Sequence, residues 1–305
     1  MLRPFHDNST TPLALRRSLY PRIGIFLLAL LWAWLPVLNN LVARWSQDAQ
    51  YTHGFLVPII AAYILYHRTQ QVQICDNQPQ TRGLIFIAAG AIMYWLGAHI
   101  YFEWLEQASL LPVVFGLMLL IGGEWLGKVS WPCVAFLLFM IPLPYAVEAA
   151  LASPMQKVAG KFSEMALQVM GVAAIRHGNL LRIEDHVLGI AEACNGMRIL
   201  VVFFAISTAM ALTIKRNWIE KLVIVASAVP IALFCNILRI AATGLLYVYA
   251  SPETGDLLFH DLAGWLMMPL ALLILMLELK YLALVFPSGM GMDSDKRPSL
   301  SLIHI

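Results

Sequence analysis

Charge is what this chain has least of. Asp, Glu, Lys and Arg make up 12% of its 305 residues, where a soluble domain carries roughly 25%. With 60% hydrophobic residues, that deficit argues against a water-soluble domain and for an integral membrane protein. The formal net charge is only +2, so the charge balance gives no argument for a nucleic-acid partner. Cysteine is scarce too. Cys75, Cys133, Cys194 and Cys235 show neither C-x-x-C pairs nor a disulfide-like spacing, which argues against a disulfide scaffold or a structural zinc site. No P-loop, G-x-S-x-G, H-E-x-x-H or Rossmann fingerprint is present, and no cofactor or metal is implied.

What the chain has in quantity is apolar runs. They extend from Ile23 to Val42, Gly54 to Tyr66, Leu84 to Ile100, Ala108 to Leu126, Val134 to Tyr145, Ile199 to Thr213, Leu222 to Tyr249, and Leu262 to Leu284. About 20 apolar residues span a bilayer, so the fold class expected is an all-α membrane protein of about eight transmembrane helices. The short loops holding Arg68, Arg82, Lys128, Lys215, Arg216 and Lys221 are expected inside by the positive-inside rule. Residues 1–22, with Arg3, Arg16, Arg17 and Arg22, read as a cytoplasmic N-terminal segment. No short apolar core with a small-residue cleavage site is evident there, so the first span is expected to be retained. Residues 23–285 form the membrane domain, and residues 286–305, with Lys296 and Arg297, a cytoplasmic tail.

One long stretch, residues 146–193, is expected on the outer side. Pro154 to Val172 is amphipathic, with Val158, Phe162, Met165, Leu167 and Met170 set against Lys157, Lys161 and Glu164. That pattern suits a helix lying on the membrane face. Asn179 to Ala191 alternates and then turns at Glu184-Asp185, which reads as a small hairpin. Ahead of it, two prolines in Ile141-Pro142-Leu143-Pro144 mark a helix end or a re-entrant bend.

The hairpin delivers the polar octet Ala191-Glu192-Ala193-Cys194-Asn195-Gly196-Met197-Arg198 to the mouth of the Ile199–Thr213 run. A helix start offers unpaired N–H groups and a positive dipole end, so a cysteine there tends toward thiolate. The plainer reading is a polar boundary that happens to hold a cysteine. Arg239 is an ionisable residue within a span, and such residues mark function by default. Counted from Ile219 at the helical rise, it reaches the outer boundary, about 30 Å along. Asn236 shares its helix face. The alternative is an arginine that snorkels or pairs to hold the bundle together. His260, in Asp256-Leu257-Leu258-Phe259-His260-Asp261, again lies on the outer side. Cys194, Arg239 and His260 thus start or end three successive spans at one membrane face. They supply a nucleophile, a cation for an oxyanion and a base. His53 either lines the same outer cavity or anchors the interface. Arg198 either neutralises a bound carboxylate or pairs with Glu192. His177 and His186 fit an exposed hairpin better than a metal site, and Cys133 and Cys235 fit small hydrophobes.

The Glu-Ala-Cys-Asn-Gly-Met-Arg stretch, Asn236-x-x-Arg239 and His260 before a final span resemble the exosortase/archaeosortase family. Tyr-Thr-His-Gly at 51–54 and Ile141-Pro142-Leu143-Pro144 fit the same pattern, and the likeness covers about residues 20 to 285. The resemblance implies a multi-pass cysteine transpeptidase or protease of the inner membrane, with its site facing outward. Its partners would be exported proteins ending in a Pro-containing motif, a membrane helix and a basic cluster. Cys194 would form an acyl-thioester, Arg239 would stabilise the oxyanion or donate a proton, and His260 would assist proton transfer. Asn195 stands where the family commonly has Ser. Asn195, Arg198, Asn236 and His53 would support or bind substrate. A transporter or flippase with an Arg/His polar path is the alternative, but the internal symmetry such folds show is not visible here. A plain protease releasing its product to water is the other.

Overall fold

Lipid offers no hydrogen bonds, so an apolar run can cross it only with its backbone bonded internally, as a helix. The computed structural model is accordingly almost all helix. It describes residues 12–71, 80–183, 186–189, 196–249 and 263–285. The expectations for Cys75, Cys194, Asn195 and His260 therefore lie outside the described residues. Helix α1 spans Pro12–Gln47, and a 3-10 turn, Thr52–Phe55, leads into α2, Leu56–Thr69. Next come α3, Gly83–Ile100, α4, Glu103–Ala108, and α5, Leu110–Phe136, which ends in a second 3-10 turn, Leu137–Met140. Helix α6, Tyr145–Val169, precedes strands β1 (Ala174–His177), β2 (Leu180–Ile183) and β3 (His186–Gly189). Helices α7, Gly196–Thr213, α8, Trp218–Tyr249, and α9, Ala263–Val285, are the last of the described elements.

By length and composition, four described helical stretches can cross a membrane: Gly83–Ile100, Glu103–Met140, Trp218–Tyr249 and Met267–Leu284. Arg198–Thr213 is a shorter apolar helix. Helix α2, with 14 residues, is about 21 Å long, less than the roughly 30 Å hydrocarbon core. Large side chains such as Ile85, Trp95 and Leu277 face outward, as a bilayer requires.

Where two spans are expected, Ala108 to Leu126 and Val134 to Tyr145, the structure has two helical parts of α5 joined by a sharp kink, with no loop between them. Gly123, at φ 60° and ψ −157°, interrupts α5 in a backbone region open essentially to glycine alone. The bend brings Leu119 within contact of Gly127. The turn therefore falls at Gly122-Gly123, several residues before the expected loop, and Pro132 lies inside the second helical part.

The helix expected on the membrane face also differs in its bounds. Helix α6 starts at Tyr145, directly after Pro144, and runs through Pro154. Its buried face is Ala159, Gly160, Ser163 and Leu167, whereas Val158, Phe162 and Met165 are exposed. In membrane packing, small residues let helices approach and large apolar ones can face lipid. So α6 packs against α8 with its small side, and the Ser163 hydroxyl donates to the Ile237 carbonyl at 3.2 Å. The hairpin is real but belongs to a three-stranded antiparallel meander ordered β1-β2-β3. Leu181 pairs with Arg176 and Leu188, and Ile183 with Ala174 and His186. Leu181 and Ile183 are fully buried.

The described residues form three apolar cores. The first joins α1, α2 and α5 through Val37, Leu41, Ile64 and Phe136. The second joins α7, α8 and α9 through Phe203, Cys235 and Ala271. The third sets α6 and the meander on α8 through Leu167, Ile183 and Ile240. Helix α8 supplies buried residues to both of the last two.

Candidate functional site

Helix α8 has 32 residues and is about 48 Å long. Arg239 lies 21 residues beyond its start, about 32 Å, so it stands one hydrocarbon thickness from the Lys215-Arg216 end. Asn236, Arg239 and Thr243 are all buried, at 1%, 6% and 1% exposure. Their spacings of three and four residues place them on one face, within an arc of about 60°. On one side of that arc Cys235 joins the second core, and on the other Ile240 joins the third. A polar strip thus runs along the seam between two apolar clusters. Gly244 keeps this end close-packed, since a Cβ there would come within 2.8 Å of Leu167 and Ile183. Among the described residues, Asn236 Oδ1 and Thr243 Oγ1 have no hydrogen-bond partner. Arg239 is engaged and not free.

Helix α7 begins at Gly196, two residues after Cys194 in the chain. Arg198 is half-buried in its first turn. A cation at a helix start is disfavoured by the dipole. Helices α7 and α8 pack along each other, bringing Arg198 and the Asn236/Arg239 pair into one helical unit.

His53 sits elsewhere, against the first core. Its Nδ1 lies 3.1 Å from the Gln50 carbonyl and its Nε2 3.1 Å from the Phe139 carbonyl. A neutral ring can donate to only one of the two. Burial pushes its pKa below the ordinary value, and the two carbonyls partly offset this. Around it, the Trp45 indole N–H donates to the Met140 carbonyl at 2.8 Å. Gly54 is closed over by that indole, and any Cβ there would run into it. The Tyr51 hydroxyl donates to Glu148 Oε2 at 3.2 Å, and Gln50 Nε2 donates to Glu148 Oε1 at 2.8 Å. Burial first, and Glu148 second, push the Tyr51 pKa up to about 12, so the phenol keeps its proton. Tyr-Thr-His-Gly is therefore a clamp holding the Phe139–Pro144 segment and the start of α6. Both ring nitrogens of His53 thus face main-chain carbonyls.

A family model described as transmembrane exosortase matches residues 45–277, well over half of the chain. The chain belongs to that family. Transmembrane exosortases are membrane-embedded enzymes of protease or transpeptidase type. No curated protein and no solved structure matches the chain. The exosortase match opens at Trp45, the residue that holds Met140, and takes in both the clamp and the polar face of α8.

Sequence reasoning reached Asn236 and Arg239 but missed Glu148 and Thr243. Glu148 follows Pro144 in the first turn of α6, where an acid suits the dipole; that position was the available signal. For Thr243 the signal was its spacing of four from Arg239 on a helix already singled out.

Proposed function

We propose that this chain is a membrane-embedded cysteine transpeptidase or protease cleaving the C-terminal sorting tails of exported proteins through an acyl-thioester. The observation that carries the reading is the family match, which contains Cys194, Arg239 and His260 in that order. The burial of Asn236 and Arg239 on one face of a membrane helix supports it, because an ionisable residue within a span marks function by default. In this reading about eight spans place residues 1–22 and 286–305 in the cytoplasm. The site faces outward across the inner membrane, and the tail's helix enters the lipid beside α8.

His260 takes the Cys194 thiol proton, the thiolate attacks the scissile carbonyl carbon, and the carbonyl π electrons move to oxygen. Arg239 holds that oxyanion. As the C–N bond breaks, His260 gives a proton to the departing amine, leaving the thioester on Cys194. A second nucleophile then attacks the thioester carbonyl, passes its proton to His260, and expels the thiolate. An amine acceptor completes transpeptidation, and water completes hydrolysis. Asn236, Asn195 and Arg198 bind or support the substrate. No cofactor or metal enters the proposed chemistry.

The deciding experiment is Cys194→Ala. Tail cleavage should disappear while the amount of folded protein stays near normal, since the side chain is small. Full processing by Cys194→Ala would remove the nucleophile, and with it the mechanism.

A further inference from the structure

The strip on α8 extends beyond the pair that the proposed mechanism needs. Thr243 is 1% exposed, and its hydroxyl has no hydrogen-bond partner among the described residues. A helical threonine ordinarily returns its hydroxyl to the carbonyl three or four residues back. Thr213 does so here, bonding to Ala209 and Met210 at 3.1 and 3.0 Å. Thr243 does not. Asn236 Oδ1 is left open in the same way, two turns earlier on the same face. Leaving such groups buried and unmade is expensive, and two of them share one seam between two apolar cores.

An occupant of that seam must offer both a donor and an acceptor at matching separation. Asn236 Oδ1 accepts an N–H, and the Thr243 hydroxyl donates to a carbonyl. The seven-residue helical rise between them is about 10.5 Å. Three residues of extended backbone cover about 10 Å. The spacing of a peptide main chain therefore matches that of the two groups, with Arg239 between them, and its entry requires the seam to open.

We propose that Asn236 and Thr243 form a hydrogen-bonding ladder that receives an extended three-residue stretch of the substrate main chain across Arg239. Thr243 positions the residues on the outer, N-terminal side of the scissile bond. The proposal rests on the sorting-tail reading above and adds to it the substrate conformation and a positioning residue. Thr243 forms no bond in the reaction; it sets where the carbonyl stands relative to Arg239.

The probe is a fluorescent peptide carrying a Pro-Glu-Pro motif, an apolar span of about 20 residues and terminal arginines. Its Kd is measured in detergent on Cys194→Ala protein, with and without Thr243→Val or Thr243→Ser, and KM and kcat are measured in the Cys194 background. Thr243→Val should weaken binding and raise KM about tenfold, one hydrogen bond's worth, with kcat changed far less. Thr243→Ser should restore both. The thermal midpoint of Thr243→Val should not fall, because Val matches the shape and removes an unmade hydroxyl. Equal Kd for Cys194→Ala with and without Thr243→Val would overturn the ladder alone. Equal loss in the Val and Ser variants would assign Thr243 to packing and also overturn it. Failure of Cys194→Ala to prefer this peptide over one with a scrambled motif would instead remove the sorting-tail reading, and the ladder with it.

Discussion

From α1 to the Leu137–Met140 turn, buried polar side chains mostly end on partners, whereas along α8 open ones gather. In the first region Trp34 donates to Ser109 at 2.9 Å, Trp45 to Met140, and Tyr51 to Glu148. The indole N–H groups of Trp104 and Trp125 lack partners, but they stand singly. On α8, Asn236 and Thr243 share one face with Arg239. A scaffold closes its hydrogen bonds internally because each open one costs stability. A site keeps some open for what it binds. The difference separates His53, which holds the fold, from Arg239, which faces substrate in the proposed mechanism.

The sharpest way to break that separation is Arg239→Lys. Lysine keeps the charge and loses the planar fork. The rate per folded molecule should fall about 10²–10³-fold, the scale of losing one oxyanion donor. Turnover near wild type would make Arg239 a second scaffold group and leave Cys194 and His260 as a dyad. The converse test is Gly54→Ala in the clamp. Its Cβ must displace the Trp45 indole, and such overpacking costs about 1–3 kcal/mol. The thermal midpoint should drop clearly, while the molecules that remain folded cleave at the wild-type rate. A lost rate with an unchanged midpoint would move the clamp into the site.

How much of this was legible beforehand follows from the range of each interaction. Arg239 and Asn236 were visible because a buried charge in an apolar run is conspicuous, and helical spacing is local. The length of α8 followed from the same run. The clamp was not legible: His53 reaches a main-chain carbonyl 86 positions away, and no residue type announces that. The bend in α5 had a signal in Gly122-Gly123 that the apolar run masked. Helix α6 was read too short, because Pro154 was taken as its start and the helix runs from Tyr145 to Val169. In lipid the large side chains of Val158, Phe162 and Met165 can face out, and the small ones of Ala159, Gly160 and Ser163 pack inward. Strand β1 was missed because its four residues, Ala174 to His177, do not alternate strongly enough to stand alone.

The smallest expected effect is a pH dependence, and it tests the scaffold side of the comparison. Burial holds the folded-state pKa of His53 below its ordinary value, near 6.5 in an unfolded chain. The folded protein therefore binds this proton less readily than the unfolded one. Stability from His53 is complete above about pH 6.5 and is lost as pH falls toward the depressed folded value. The loss cannot exceed about 1.4 kcal/mol per pH unit for a single proton. Thermal midpoints of the detergent-solubilised protein between pH 7.5 and 5.5 should show this decline. His53→Gln keeps a side-chain N–H donor for the Phe139 carbonyl and does not titrate, so its decline should be shallower. Its cleavage rate per folded molecule should follow the wild-type pH profile, because His260, not His53, moves the proton in the proposed mechanism. If His53→Gln instead shifted the acid limb of cleavage and left the midpoints unmoved, His53 would belong with Arg239 and the division between clamp and site would fall.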